Sequence, residues 1–353
     1  MPSAQANRTL RYKSTVKILP PSLSPERVKV DDFYAARSRI IPPLPWPIFA
    51  PPFSILQRAG ISAPKFGIGT SLKEIKSAVS DICYPIVLKP VDRASCRGVI
   101  KVDHEEHLPA AFLYTASFSG PDKRIVINEF ISGTEHSVEG LMINGEYHCT
   151  AISDRIFKYT EYFPNFVEVG DIMPSILDAE QQKEIVELTA SAAKALNINF
   201  GVVKSDIIFD KKRGAMVLEI APRLGGPRFG TEMVPLANGT NILKATIQQA
   251  VGDEIDFSLL KPSQLGGMVN RSLFPTPGRV VEISGFERLS DIPGFYDFKW
   301  WNIRPLAVGD IISKPENNSG DIGYFITYGK DREEALKAAD MVEATIKIVT
   351  EEV

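Results

Sequence analysis

Apolar positions along the chain follow two rhythms. Short runs rich in β-branched residues, bounded by turn formers, predict strands at Ile86-Val-Leu-Lys89, Gly98 to Val102 and Arg124-Ile-Val-Ile-Asn-Glu-Phe130. Glu135 to Ile143 and Glu146 to Ile152 flank Asn144-Gly145, the pair favoured where a two-residue hairpin turn needs positive φ twice. Gly201 to Asp210 and Ala215 to Ala221 read as two further strands. A three-to-four-residue spacing marks the helices. Ser54 to Ala59 is a short one closed by Gly60, and Ser71-Leu-Lys-Glu74 is a capping box opening a helix to about Ser80. Asp178-Ala-Glu-Gln181 caps a helix to Leu196 with Ile185, Leu188, Ala192 and Ala195 on one face. Asn241 to Val251 ends at Gly252, and Asp331-Arg-Glu-Glu334 opens a last helix to about Val349. Residues 153–176 are loop-like and aromatic, and short strands and turns follow Leu265.

The first 52 residues break both rhythms. Ile41-Pro-Pro-Leu-Pro-Trp-Pro-Ile-Phe-Ala-Pro-Pro52 suits neither a helix nor a central strand, because proline fixes φ and lacks the N–H donor. This arm reads as an extended segment packed on another surface or as a partly disordered leader. Composition adds little: 353 residues, 44% hydrophobic, net charge −3. That charge does not suit a general polyanion surface, so no nucleic acid is expected. No run approaches the ~20 apolar residues that span a bilayer, and no signal-type stretch opens the chain. Cys83, Cys96 and Cys149 lack metal-like spacing, and a reducing, cytoplasmic location is expected. His104, His107, His136 and His148 form no metal or triad signature and read as surface or satisfied histidines.

Chemistry concentrates in the hairpin Gly201 to Gly226. With a turn at Lys211-Lys-Arg-Gly214, Asp210 pairs with Ala215, and Asp206 falls directly opposite Glu219. Ile208 and Val217 then share their face, while Ile207, Leu218 and Ile220 take the other. The two carboxylates' Cβ atoms would be ~5 Å apart. At that distance they repel by about 3 kcal/mol at an effective dielectric near 20. Mg²⁺ between them, a solvated face that tolerates both, and a proton-sharing dyad are the three readings. Ala221-Pro-Arg-Leu-Gly-Gly226 brings Arg223 to the same end, where a guanidinium suits a phosphate or a developing acyl-phosphate charge.

Two other stretches point the same way more weakly. Lys89 ends an apolar strand and precedes Val91-Asp-Arg-Ala-Ser-Cys-Arg-Gly98, a loop able to meet phosphates through backbone N–H groups. A strand-end surface lysine is the plainer alternative. In Asn128-Glu-Phe-Ile-Ser-Gly-Thr-Glu135, free backbone groups at Glu129 to Ile131 could read an adenine edge and a carboxylate could take ribose hydroxyls. An ordinary charged strand end fits as well. Neither GxxxxGK[ST] nor GxGxxG occurs at a strand–helix junction.

Together, and in this order, the three stretches resemble the ATP-grasp superfamily from about Ser54 onward. The resemblance implies an α+β fold in which two lobes with antiparallel sheets grip ATP. It divides the chain into a proline-rich arm (1–52), a small lobe (53–127), a large lobe with the metal site (128–260) and a C-terminal subdomain (261–353). It implies that Lys89, with Ser95, Arg97 and Gly98 of the loop, binds phosphates. By the same resemblance, Glu129, Phe130 and Ile131 would form the adenine hinge and Glu135 would hold ribose. It further implies that Asp206 and Glu219 hold Mg²⁺ (or Mn²⁺) and that Arg223 is the catalytic arginine.

Arg271-Ser-Leu-Phe-Pro-Thr-Pro-Gly278, Ile283-Ser-Gly285, Gly329 to Ala335 and Phe166-Val-Glu-Val-Gly-Asp171 look like the carboxylate–amine ligases that join amino acids. The implied reaction forms an amide through an acyl phosphate, with small carboxylate and amine substrates. Arg228, Glu168 and Asp171 are candidates to contact them. A nucleotide-binding protein of impaired catalysis and a biotin-carboxylase-like subunit are the alternatives. Several positions depart from the pattern. Arg93 and Ser95 stand where glycines are usual, Ala221 stands for an asparagine of the metal motif, Asp171 stands for a histidine, and no lysine lies near Phe49. A Rossmann-like domain usually precedes the grasp, so a homodimer or a partner chain supplying it is the matching expectation. Trp300-Trp301 and Tyr159, Tyr162, Phe163 and Phe166 suit core packing, a substrate pocket or a dimer interface.

Overall fold

The structure, a computed structural model, describes residues 52–158, 164–226, 228–301 and 304–353. The proline-rich arm up to residue 51, and Tyr159, Tyr162 and Phe163, lie outside the described residues.

The chain enters through α1 (Pro52–Arg58) and builds a four-stranded antiparallel sheet from β1 (Phe66–Gly69), β2 (Ile86–Pro90), β3 (Ile100–Val102) and β4 (Ile125–Glu129), ordered β1-β4-β2-β3. One face carries Ile86, Leu88, Ile125 and Ile127. It packs on α2 (Leu72–Ile82) and α3 (Leu108–Phe118) through Ile75, Val79 and Leu108. The opposite face presents Val87 and Lys89 across from Asn128 and Val126. Ser71 caps α2 as expected, but Glu74 reaches back one residue further, to the N–H and hydroxyl of Thr70. No α3 was expected from sequence. Its apolar residues are spread around the helix, so it lacks a one-sided stripe.

A larger sheet follows, ordered β12-β14-β10-β7-β6-β5-β8-β9 and antiparallel throughout. Its first strands are β5 (Thr134–Ile143), β6 (Glu146–Phe157) and β7 (Glu168–Met173). After α4 (Ala179–Ala195) come β8 (Gly201–Asp210) and β9 (Gly214–Ala221). After α5 (Val234–Asn238) and α6 (Ile242–Val251) come β10 (Gly267–Leu273), β12 (Phe295–Trp300) and β14 (Gly323–Gly329). α4 lies on one face through Ile185, Ala192 and Ala193 against Val138, Val203, Ile207 and Val217. The last helix, α7 (Arg332–Thr345), packs Ala335, Ala339 and Val342 on Val269 and Phe325. A small sheet joins β11 (Gly278–Ser284) to β13 (Ile311–Ile312) and β15 (Lys347–Glu351).

Three expectations need correction. The stretch 153–176 is not all loop: β6 runs on to Phe157, and β7 occupies Glu168–Met173. The last helix stops at Thr345, and β15 takes Lys347–Glu351, since Ile346 is already extended (ψ 126°). The β8–β9 turn is one residue tighter than expected. Asp210 pairs with Gly214, whose φ of 77° closes the turn, and the Asp210 carboxylate accepts from the N–H groups of Lys212 (2.8 Å) and Arg213 (2.9 Å). A register shift then leaves Leu218 between the paired residues Val217 and Glu219, so Asp206 still faces Glu219. Val217 thereby joins Ile207 against α4, and Leu218 turns to Ile208 and Met216, the reverse of the expected faces.

Candidate active site

The chemistry-bearing residues line one face of the large sheet. Alternation along β5 puts Glu135, Ser137 and Glu139 on that face, opposite Ile208, Asp206 and Lys204 of β8. Arg155 of β6 stands opposite Asp171 of β7. Arg155 is the hub. Its guanidinium donates to Glu135 Oε2 (2.8 Å) and to both carboxylate oxygens of Glu168 (2.9 and 2.7 Å), and it lies 3.3 Å from Asp206 Oδ2. Asp206 also accepts from Ser137 Oγ (3.0 Å) and from the Lys204 ammonium. Burial alone would push the Asp206 carboxyl up, but Arg155, Lys204 and Ser137 outweigh it and hold it down to about 2. Two expensive buried charges are thereby compensated.

At Glu139 and Asp171 the nearby cations, Lys204 for both and Arg155 for Asp171, offset burial only in part. Burial pushes each carboxyl up to about 7, with the Glu168 charge adding to the rise at Asp171. Ser153 Oγ donates to Asp171 (2.7 Å), and the Gly225 N–H donates to Glu139 Oε2. Glu139 Oε1 is buried without a partner. Glu139 thus fastens the loop carrying Arg223 to the sheet.

On the small sheet, Lys89 is half-buried, and its charge is felt at both Glu135 and Cys96, so it faces the carboxylate cluster. The loop after it carries Ser95 and Cys96 at φ 60° and 57°. Left-handed backbone costs side-chain-bearing residues about 1–2 kcal/mol each, a cost that a glycine in place of Ser95 would relieve in part. Gly98 is required as glycine: φ is 74°, and a Cβ would stand 2.7 Å from Phe118 Cβ. Arg97 is turned back on Ala94 O (3.1 Å).

The hinge differs from expectation. The N–H groups of Glu129 and Phe130 are taken by Lys65 O and Pro85 O (both 2.9 Å). Glu129's carboxylate accepts from the Lys65 N–H (3.0 Å) and from Arg213 (3.0 Å). Two of the three expected backbone groups are therefore not free donors. Phe130 lies under the Lys101 ammonium, 4.5 Å from its ring centre, and Ile131 packs with Ile208 and Met216.

Glu219 faces Asp206 by strand register, but its side chain is 60% exposed and lies 4.0 Å from Arg223. Arg223 otherwise donates to Leu224 O (3.0 Å). Arg228 already carries two carboxylates, Glu232 (2.7 Å) and Asp297 (2.9 Å), so a substrate carboxylate would have to displace one. Trp300 packs on Phe286 and Phe298, whereas Trp301 is 47% exposed and leans on Tyr324. His136 is buried and satisfied by Asp154 (2.9 Å) and Thr134 (2.8 Å) on the face away from the cluster.

Comparison with known proteins speaks to the domains and the fold. Residues 53–227 match the ATP-grasp domain, and residues 271–351 match the L-amino acid ligase C-terminal domain 2. The chain carries an ATP-grasp domain. Its fold is that of the L-amino acid ligase from Bacillus licheniformis, with a TM-score of 0.68 at 24% identity over 85% of this chain and 71% of that one. It is also 30% identical to alanine–anticapsin ligase of Bacillus subtilis over 190 residues, 48% of this chain and 39% of that protein. A Thermoanaerobacter D-alanine–D-alanine ligase is 26% identical over 175 residues, 46% of this chain and 47% of that protein. The chain thus spans about half or less of the length of the curated relatives it matches.

Within this ATP-grasp frame, Lys89, Glu135, Glu168, Asp171 and Asp206 come together, whereas Glu129, Arg97 and Arg228 are held by neighbours. Asn128, Ser137, Glu139 and Lys204 were not singled out in the sequence. Alternation from Asp206 and Glu135 would have put Lys204, Ser137 and Glu139 on the site face once the β5–β8 pairing was known. Among the described residues, no helix is long and apolar enough to cross a membrane, and no group of three or more His, Cys, Asp or Glu side chains is set to hold a metal ion.

Proposed function

We propose that the protein is an ATP- and Mg²⁺-dependent carboxylate–amine ligase that forms an amide through an acyl phosphate. The observation carrying this is the cluster of Lys89, Arg155, Lys204, Asp206 and Glu135 beneath the loop Asp92–Gly98, in a chain that also matches a ligase C-terminal domain. The small lobe, large lobe and C-terminal subdomain are taken as 53–127, 128–260 and 261–353.

The donor set fits Mg²⁺. Asp206 and Glu219, on paired strands, would offer it hard oxygen ligands, and Mg²⁺ takes one or two carboxylates, completing its shell with phosphate oxygens and water. When bound, the ion would neutralise charge on the transferred phosphoryl group. Lys89 and Arg155 would grip the phosphates, with Arg155 exchanging a carboxylate for a phosphate oxygen. Arg223, exposed at the strand end, would meet the acyl phosphate. Ile131, Ile208, Met216 and Leu218 would give the base an apolar wall, and Glu135 would take the ribose. Asn128, whose carboxamide is buried with both polar atoms unpartnered, offers the donor–acceptor pair that an adenine edge complements. Asp171 and Glu168 would face the substrates. Catalysis would rest on positioning and charge neutralisation.

Isothermal titration of Mg-ATP into wild type and Glu219→Ala tests the nucleotide and metal site, with much weaker binding expected in the variant. ADP release that requires both a carboxylate and an amine, surveyed with amino-acid pairs, tests the reaction. Tight Mg-ATP binding with no substrate-dependent release would leave a nucleotide-binding protein and exclude the ligase.

A further inference from the structure

One residue of the C-terminal subdomain reaches both sides of the cleft. Asn318 lies in a short 3₁₀ turn (Asn318–Gly320), fixed by Asn317 Oδ1 accepting from the Ser319 N–H at 3.0 Å. Its backbone N–H donates to Ser95 O (3.1 Å) in the strained loop after Lys89. Its side chain is held twice by Glu168. The Glu168 N–H donates to Asn318 Oδ1 (2.9 Å), and Asn318 Nδ2 donates to Glu168 Oε2 (3.3 Å). That same Glu168 oxygen accepts from Arg155 (2.7 Å). A second tie lies alongside, the Lys101 N–H donating to Pro164 O (2.9 Å), but it holds the strand end and not the loop.

The pattern has a physical logic. The loop Asp92–Gly98 is pinned at its two ends, where the Gly120 N–H donates to the Asp92 carboxylate (2.9 Å) and Thr115 Oγ1 donates to Gly98 O (2.9 Å), while its middle carries the turn bonds Arg97 N–H to Ala94 O (3.3 Å) and Val99 N–H to Cys96 O (3.1 Å). With Ser95 and Cys96 in left-handed backbone, its conformation needs an outside anchor to persist. A carboxamide suits the anchor's task, because it accepts from the Glu168 backbone and donates to the Glu168 carboxylate together. An aspartate would put charge against Glu168, and an alanine would make neither bond.

We propose that Asn318 is a positioning residue, a clasp by which the C-terminal subdomain holds the phosphate loop and the Glu168–Arg155 pair in register. This rests on the reading that the cleft takes a nucleotide. Nucleotide retention then depends on a residue outside both nucleotide-gripping sheets. The clasp acts on departure more than on arrival, since a loosened loop opens more often but presents the same charges.

The test uses the full chain and two variants, Asn318→Ala and Asn318→Asp, with Lys337→Ala on the exposed side of α7 as a control. Hydrogen exchange of the nucleotide-free protein is read over Asp92–Gly98, and dissociation of a fluorescent Mg-ADP analogue is read by stopped flow. Both variants are expected to raise exchange in that loop and to speed dissociation about tenfold, a change worth about 1.4 kcal/mol, with association nearly unchanged. Exchange over β5 and β8 should stay at the wild-type level in all proteins, showing an intact fold. Loop exchange unchanged in both Asn318 variants would overturn the clasp. If wild type fails to bind the analogue, the nucleotide reading falls, and the exchange measurement still decides whether Asn318 orders the loop.

Discussion

At the scale of single residues, the site is an exercise in compensating buried charge. Arg155 answers Glu135, Glu168 and Asp206, so removing it leaves three carboxylates facing one another. Breaking a buried ion pair on one side typically costs 3–5 kcal/mol. Arg155→Met should therefore lower stability by about 3 kcal/mol or more, read as a shifted urea midpoint with unchanged slope. Glu139 makes a prediction in pH. Its carboxyl is pushed from an ordinary 4.5 up to about 7 by burial, so the folded protein keeps a proton that the unfolded chain releases. The stability it contributes is full below about pH 4.5 and is lost as pH rises through about 7. Glu139→Gln cannot titrate yet still accepts from the Gly225 N–H. Thermal unfolding of this variant should flatten across that window and exceed wild type above about pH 7. Glu139→Ala should instead fall by about 1–3 kcal/mol at all pH values, because it strands the Gly225 donor.

At the scale of elements, what the sequence discloses depends on whether a signal is local. Strand alternation, the Asn144-Gly145 turn and the caps at Ser71, Asp178 and Asp331 are local, and each element formed where they stand. The Asp206–Glu219 pairing was legible too, although its route was not, because a bulge at Leu218 offsets the shorter turn and nothing in Val217-Leu-Glu219 announces it. β7 was hidden because β6 runs past its expected end at Ile152 to meet it, and because its other partner, β10, lies far along the chain, with Asn270 facing Asp171. Its central glycine marks where those strands crowd. Gly170 has φ 144°, and a Cβ there would collide with the carbonyl oxygen of Asn270. Gly170→Ala should destabilise by about 3 kcal/mol or more through backbone strain and overpacking. Because β7 carries Glu168 and Asp171, nucleotide binding should fall with it. Soluble yield and the urea midpoint read the first effect, and Mg-ADP titration of the folded fraction reads the second.

At the scale of the whole molecule, the family resemblance was legible from three stretches and their order, whereas the way the lobes are tied was not. Those ties are single long-range hydrogen bonds that leave no periodic trace: Arg213 to Glu129 across 84 residues, Val217 N–H to Ser62 O, and Asn318 to Glu168 across 150. They imply that the nucleotide-free protein already holds its two sheets together. Nucleotide should then add stability by mass action more than by rearrangement. A ligand at a hundred times its Kd stabilises the folded state by about 2.7 kcal/mol. Saturating Mg-ADP should accordingly raise the melting temperature by several degrees, and chelating the Mg²⁺ should remove most of that rise. The reason is that ADP alone would bring its phosphates against Asp206 with only Lys89, Arg155 and Lys204 to offset them. A rise of the same size with and without Mg²⁺ would mean that these three cations suffice and that Asp206 and Glu219 do not hold the ion. Arg213→Ala, whose guanidinium is nearly half exposed, should change the nucleotide-free melting temperature little. It should nevertheless reduce the Mg-ADP increment, because Glu129 would then lose its tie to the large sheet at the hinge.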